Sequence, residues 1–457
     1  MFVKSMISPF SFYKLSVAGT FVRSCRSFTG SSVSRAAAAC TTARHRRPNC
    51  IEEVYTTLTW TRALSAIEAR QNLPRVFQQQ RNYTSTTDRI GTSDLVGANT
   101  MNGSNKKARI ETSGDGDAAK FEEVYHTLVN EIITEDEANP EIADAAKRFR
   151  KMLDYNVPHG KRNRGLTVIN AFRHLAQPDQ LTDDNVLKAM VMGWCVEWLQ
   201  AYFLIADDIM DQSKTRRGQP CWFRQPDIGM DAINDSFYVE ACIYKFLKRH
   251  ILREPYYADV LELFHETTYQ TVVGQSLDLI TSPESNRDLN RFTQQRYDAI
   301  VKWKTAFYSF YLPVALAMYM VGIENEESHR NAKTILLTMG HFFQVQDDYL
   351  DCYGDPSVIG KIGTDIEENK CGWLVVQALQ RVTPQQRLII EENYGFDDAS
   401  KVSKIKELYR ELDITSVYKA YEEKSYQDLM QLIENHSGSL PKEMFVAYAK
   451  RIYKRQK

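Results

Sequence analysis

Cysteine is scarce in this chain, with 8 in 457 residues. The eight are scattered, and no two stand in a C-x-x-C spacing. That excludes a disulfide scaffold, a zinc ribbon and a thioredoxin-like redox pair. A G-x-G-x-x-G turn, a P-loop and any long apolar–polar alternation are also missing. Parallel α/β folds built around nucleotide-binding turns are therefore set aside. The net charge of -1 excludes a strongly basic nucleic-acid binder, so no nucleic-acid partner is expected. Long apolar runs are few. The longest, Phe307–Ile323, is interrupted by Pro313 and three tyrosines and reads as a buried core helix. No transmembrane span is expected.

Acid is absent from the first 50 residues, which hold eight Lys or Arg and no Asp or Glu. Apolar residues such as Phe10, Phe12 and Leu15 lie between those charges. A cationic, acid-free, amphipathic opening is the composition of a mitochondrial transit peptide, and Lys14 breaks the only candidate for a secretory core. Residues 1–81 are accordingly read as a presequence. Residues 82–118, rich in Asn, Thr, Ser, Gly and Asp, are read as a flexible polar linker, and 119–457 as one ordered domain. An internal start such as Met101 would give a cytosolic form.

The ordered part reads as helix after helix. Apolar residues recur at three- and four-residue spacing over Phe121–Ile133, Val186–Met210, Asp235–His250, Tyr257–Leu279, Arg291–Tyr319, Ala332–Cys352 and Lys401–Ser425. Pro and Gly fall between these runs. The expected fold is all-α, a large single-domain helical bundle.

Two of these helices end in the same acidic pattern, D-D-x-x-D, at Asp207–Asp211 and Asp347–Asp351. With 29 Asp in the chain, one copy would arise by chance about 0.1 times. Residues i and i+4 share a helix face, so Asp207 stands beside Asp211 and Asp347 beside Asp351. Like charges one turn apart repel, and anions at a helix C-terminus oppose the macrodipole. A bridging cation removes both penalties. Hard oxygen donors in this number suit Mg²⁺, which fills its remaining positions with water and substrate phosphate.

A phosphate site needs further cations. Gly160–Gly165 is a glycine-bounded basic loop carrying Lys161, Arg162 and Arg164. Arg216 and Arg217 follow the first acidic motif, and Lys361 and Lys370 follow the second. Lys304, beside Thr305, interrupts an apolar helix, where a lone ammonium calls for an anion. Taken together these groups describe a pocket for two diphosphates.

In this order the motifs resemble the farnesyl diphosphate synthases of the short-chain trans-prenyltransferase family. The resemblance covers about residues 120–457. It rests on Gly160–Gly165, Leu199–Asp211, Thr215–Gly218, Lys304–Tyr308, Phe342–Asp351, Gly360–Asp365 and the basic tail Tyr453–Arg455. It implies the family's helical bundle around a central active-site cavity, a homodimer, and small diphosphate substrates. Asp207, Asp208 and Asp211 would hold magnesium against the allylic diphosphate, with Asp347, Asp348 and Asp351 holding a further ion opposite. Three ions are implied in all, replaceable by Mn²⁺ or Co²⁺. Arg216, Lys304, Thr305, Gln344, Lys361 and Lys370 would serve the allylic diphosphate, and Lys161, Arg164, Gln200 and Arg217 isopentenyl diphosphate. Lys304, Thr305, Gln344 and Arg216 would face the reacting atoms. Tyr202 and Phe203 lie about one turn before Asp207, where large rings would close the floor of a prenyl tunnel. The expected product is C15. A C10 product stays open because Tyr202 adds a hydroxyl, and a non-catalytic subunit on the same fold is a further alternative.

Overall fold

The computed structural model describes residues 114–283, 287–359 and 362–453. The presequence, most of the linker, Gly360, Lys361, Lys454 and Arg455 lie outside the described residues. Within them the expectation of an all-α bundle is met.

Helices α1 (Gly114–Glu137), α2 (Ala143–Asn156) and α3 (Asn163–Leu175) lead into the central helix α4 (Asp183–Met210). Thr182 caps α4 by accepting from the Asn185 N–H, and Asp183 and Asp184 complement the helix dipole in its first turn. Every residue from Ala189 to Leu199 on α4 is buried, because neighbours surround it on all sides. Alone among the described residues it is long and apolar enough to cross a membrane, yet 72% of its apolar window is buried inside the protein, as for a core helix.

After α4 a two-stranded antiparallel hairpin pairs Thr215 with Pro220 and Arg216 with Gln219. Helices α5 (Ala232–Ile251) and α6 (Tyr257–Thr281) follow, then α7 (Gln294–Ile300), a π-helical segment Val301–Tyr311, and α8 (Leu312–Met320). The sequence pattern reads Arg291–Tyr319 as one α-helix, but the structure divides it. Pro313 accounts for the last boundary, at the start of α8. It has no N–H to offer the Ser309 carbonyl, and its ring crowds that carbonyl. The freed oxygen accepts instead from the Tyr448 hydroxyl at 3.3 Å.

Helix α9 (Glu326–Tyr353) carries the second acidic motif at its end. The chain continues through α10 (Pro356–Ile359), α11 (Trp373–Leu379), α12 (Pro384–Asn393), α13 (Ala399–Glu411), α14 (Ile414–His436) and α15 (Lys442–Ile452). The expected helix Lys401–Ser425 is broken between α13 and α14 at Asp413, whose φ is +47°. Two apolar cores result. The larger joins α1–α6, α8 and the first half of α9. The smaller gathers α7, α11, α13 and the start of α14. At Gly274 on α6, an added Cβ would overlap the backbone of Trp303 and Lys304. Only glycine lets α6 and the π-helical segment approach this closely.

Candidate active site

One cavity of about 710 Å³ opens between the ends of α4 and α9. The first acidic motif contributes Asp207 and Asp211 to its wall, and the second contributes Asp347, Asp348 and Asp351. Lys161, Arg164, Gln200, Arg216, Arg217, Lys304, Thr305, Gln344 and Lys370 also line it. The structure thus brings together most of the residues singled out from sequence. Lys361 lies outside the described residues.

At the centre are acidic and basic side chains in direct contact. Lys304 Nζ lies 3.1 Å from Asp207 Oδ1 and 2.7 Å from Asp278 Oδ2. Lys370 pairs with Asp211 and stands 3.3 Å from Asp278. Asp278 is the residue that sequence reading missed. It sits one turn after Gly274, so the tight crossing of α6 over the π-helical segment delivers its carboxylate to Lys304. Its signal was available: a lone acid between Leu277 and Leu279, the mirror image of Lys304 in its own apolar run. Glu368 was missed as well. It lines the cavity, and burial raises its carboxyl to about 7.

Burial by itself raises a carboxyl pKa, yet Lys304, Lys370 and Arg216 outweigh it at Asp207 and hold that group well below the ordinary carboxylate range. At Asp278 burial is likewise overcome by Lys304 and Lys370. At Asp211 burial and the charge of Asp207 win, and the pKa is raised. Lys304 and Lys370 are both raised, because their aspartates outweigh the cost of burial.

The second Asp of each motif has a different task. On a helix it is rotated away from the first and fifth. Asp208 does not line the cavity. It is buried, and it accepts from Arg216 Nε at 3.0 Å and Nη2 at 2.5 Å. Asp348 accepts from Gln344 Nε2 at 2.9 Å and from the Trp373 N–H at 2.7 Å, and burial raises its carboxyl to about 6. Gln344 Oε1 in turn accepts from the Thr305 hydroxyl at 3.1 Å. Threonine hydroxyl, amide and carboxylate therefore form one oriented chain.

On the basic side, Arg164 donates to Ser309 Oγ at 2.9 Å and to the Tyr308 hydroxyl at 3.2 Å. Arg217 donates to the Asn156 carbonyl at 2.7 Å. Arg162 is tied to Glu122 and to the Pro158 carbonyl. Tyr202 and Phe203 do not reach the cavity wall. Phe203 rests edge-on against Tyr308, which does line the cavity, with ring centres 5.4 Å apart, and Tyr202 packs on Phe203.

Among the described residues no three His, Cys, Asp or Glu side chains form a ready metal cage. The lysines explain this, because they stand between the carboxylates. The donor set still fits a hard cation. Asp207 Oδ1 is buried, and the Lys304 ammonium 3.1 Å away supplies it with positive charge.

An all-α bundle whose large cavity joins paired acidic motifs to a basic loop fits an enzyme that handles diphosphates. Residues 146–412 match the polyprenyl synthetase model, and the chain belongs to that family. It is a prenyltransferase. Among its relatives are the farnesyl pyrophosphate synthases of Homo sapiens, 58% identical over 73% of this chain and 80% of the relative, and of Gallus gallus, 55% identical over 74% and 92%. The solved Trypanosoma brucei farnesyl diphosphate synthase complexed with risedronate is 34% identical, with a TM-score of 0.69 over 75% of this chain and 100% of that one.

Asp278→Asn provides a test. It leaves two largely buried ammonium groups short of an anion, at a cost of about 3 kcal/mol in stability. Turnover is expected to fall by about 100-fold. Urea unfolding and a condensation assay read the two effects. Unchanged turnover would remove Asp278 from the site.

Proposed function

We propose that the enzyme joins isopentenyl diphosphate head-to-tail to dimethylallyl and then to geranyl diphosphate, giving farnesyl diphosphate. One observation carries this reading: the acidic motifs and the basic loop share a single cavity. Arg216, Lys304 and Lys370 bind the allylic diphosphate, with Lys361 joining them by resemblance. Lys161, Arg164, Gln200 and Arg217 bind isopentenyl diphosphate. Asp207, Asp211, Asp347 and Asp351 hold magnesium, three ions in all by resemblance, with Mn²⁺ or Co²⁺ able to replace it. Bound there, the metal neutralises the charge that builds on the departing diphosphate. Asp208 acts through Arg216, and Asp348 acts through Gln344.

The chain's own groups then do the following. Lys304, Lys370 and Arg216 meet the diphosphate as its bond to carbon lengthens, so they hold it more tightly in the transition state than before. The oriented Thr305 and Gln344 dipoles face the allylic carbon as it becomes positive. The basic loop fixes the isopentenyl double bond at that carbon. The released diphosphate accepts the proton.

The test combines isopentenyl and dimethylallyl diphosphates with magnesium and identifies the products by chain length. A C15 product is expected, reduced by about 100-fold or more in Asp207→Ala. Tyr202→Ala is expected to lengthen it by removing a ring from the layer behind Tyr308. A product ending at C10 would move the function to monoterpene precursor supply. No product from folded protein would favour the subunit reading.

The enzyme is read as a homodimer. Ile233 and Phe237 on α5, with Tyr269, Val272, Val273 and Ile280 on α6, are exposed apolar side chains that a second copy would cover, with Tyr269 63% exposed. Burying such residues is worth about 25 cal/mol per Å². Phe237→Asp should convert a dimer to a monomer in sedimentation velocity; an unchanged mass would place the interface elsewhere.

The acid-free opening supports delivery to the mitochondrial matrix. A fluorescent protein fused behind residues 1–118 should enter mitochondria, and a fusion starting at Met101 should stay in the cytosol. A diffuse signal from the first fusion would reject the presequence.

A further inference from the structure

Helix α3 begins at the basic loop in an unusual way. Its N-cap is Arg162, at φ +52°, which makes no capping hydrogen bond from its side chain. A helix start without a side-chain cap leaves several N–H groups unsatisfied. One of them is met from another helix. The Gly165 N–H donates to Glu197 Oε1 on α4 at 2.8 Å. Glu197 is only 3% exposed, and none of the chemistry above uses it.

The backbones on either side are almost in contact. A Cβ on Gly165 would lie 2.8 Å from the Gly193 carbonyl and 2.6 Å from Phe121, and a Cβ on Gly193 would lie 2.7 Å from the Gly165 carbonyl. Glu197 is one turn after Gly193, and cavity-lining Gln200 is almost another turn on. Glu197 therefore fixes the register between two elements that bind the same substrate: the loop bearing Lys161 and Arg164, and the face of α4 bearing Gln200.

The same carboxylate faces the basic cluster. Burial is the main influence lowering the pKa of Arg217, with repulsion from Arg216, Arg164 and Arg162 adding to it, and Glu197 opposes these effects.

We propose that Glu197 is a positioning residue for the isopentenyl diphosphate site, capping α3 from α4 and holding the basic loop in register with Gln200. This rests on the function proposed above. The group acts through the loop and does not touch the substrate.

Two conservative variants separate the hydrogen bond from the charge. Glu197→Gln keeps the reach and an acceptor oxygen but loses the charge. Glu197→Asp keeps the charge but withdraws the oxygen from Gly165. Glu197→Asp is expected to raise KM for isopentenyl diphosphate by about tenfold while leaving KM for geranyl diphosphate within about twofold. Glu197→Gln should remain close to the parent enzyme. Amide hydrogen exchange over residues 160–170 should quicken in the Asp variant and not in the Gln variant.

Equal rises in both KM values would mean general loosening and would overturn the proposal. An impaired Gln variant beside a normal Asp variant would overturn the cap in favour of charge. Unchanged exchange in both variants would overturn it too. If the parent enzyme forms no prenyl product, the proposed function fails, while the exchange measurement still decides whether Glu197 holds the loop.

Discussion

Carboxylates crowded at the mouth of a low-dielectric cavity are tolerable only with cations between them. Here the cations are Lys304 and Lys370, which Asp207, Asp211 and Asp278 share. The rest of the architecture serves that contact. The apolar length of α4 carries Asp207 to the cavity. The crossing at Gly274 carries Asp278 to Lys304. The turn before α11 brings Lys370 across from the other side. Three anions facing two ammonium groups leave the cluster biased toward accepting more positive charge. A divalent cation among the carboxylates would release the lysines toward phosphate oxygens, so the same side chains suit both the resting arrangement and the charged substrate.

Much of this was legible in the sequence because charge inside an apolar run is a strong signal. The doubled D-D-x-x-D, the lone Lys304 and the glycine-bounded basic loop all stood out that way, and each contributes side chains to the cavity wall. The all-α class was equally plain from spacing. What sequence spacing could not give was direction. The resemblance gives all three aspartates of the first motif to magnesium, whereas the helix turns Asp208 back toward Arg216. Spacing sets Tyr202 and Phe203 directly at the tunnel floor, whereas Phe203 packs behind Tyr308 and Tyr202 behind Phe203. It also runs helices together. Pro313 inside an apolar run and Asp413 in a polar one each interrupt a pattern whose period is otherwise unbroken. Asp278 was overlooked because its partners are 26 and 92 positions away, and no local pattern links them.

The π-helical segment shows how backbone and chemistry are joined. It carries Lys304, Thr305, Tyr308 and Ser309, all of which line the cavity. It ends just before Pro313, whose missing N–H leaves the Ser309 carbonyl free. Through the Ser309 carbonyl, the same proline gives the Tyr448 hydroxyl of α15 a place to dock. The last helix is thereby tied to the segment that holds Lys304.

The contact at Gly274 divides the site into parts that can and cannot be varied. Wall residues such as Leu204 or Phe343 can be exchanged for others of similar volume, because their neighbours are side chains that can repack. Position 274 has no such freedom, since its neighbour is the backbone of Lys304 itself. A library built to redirect the enzyme toward other chain lengths should therefore randomise the wall and hold position 274 constant. Diversity spent there would be lost to variants whose central lysine has moved before any product length is tested.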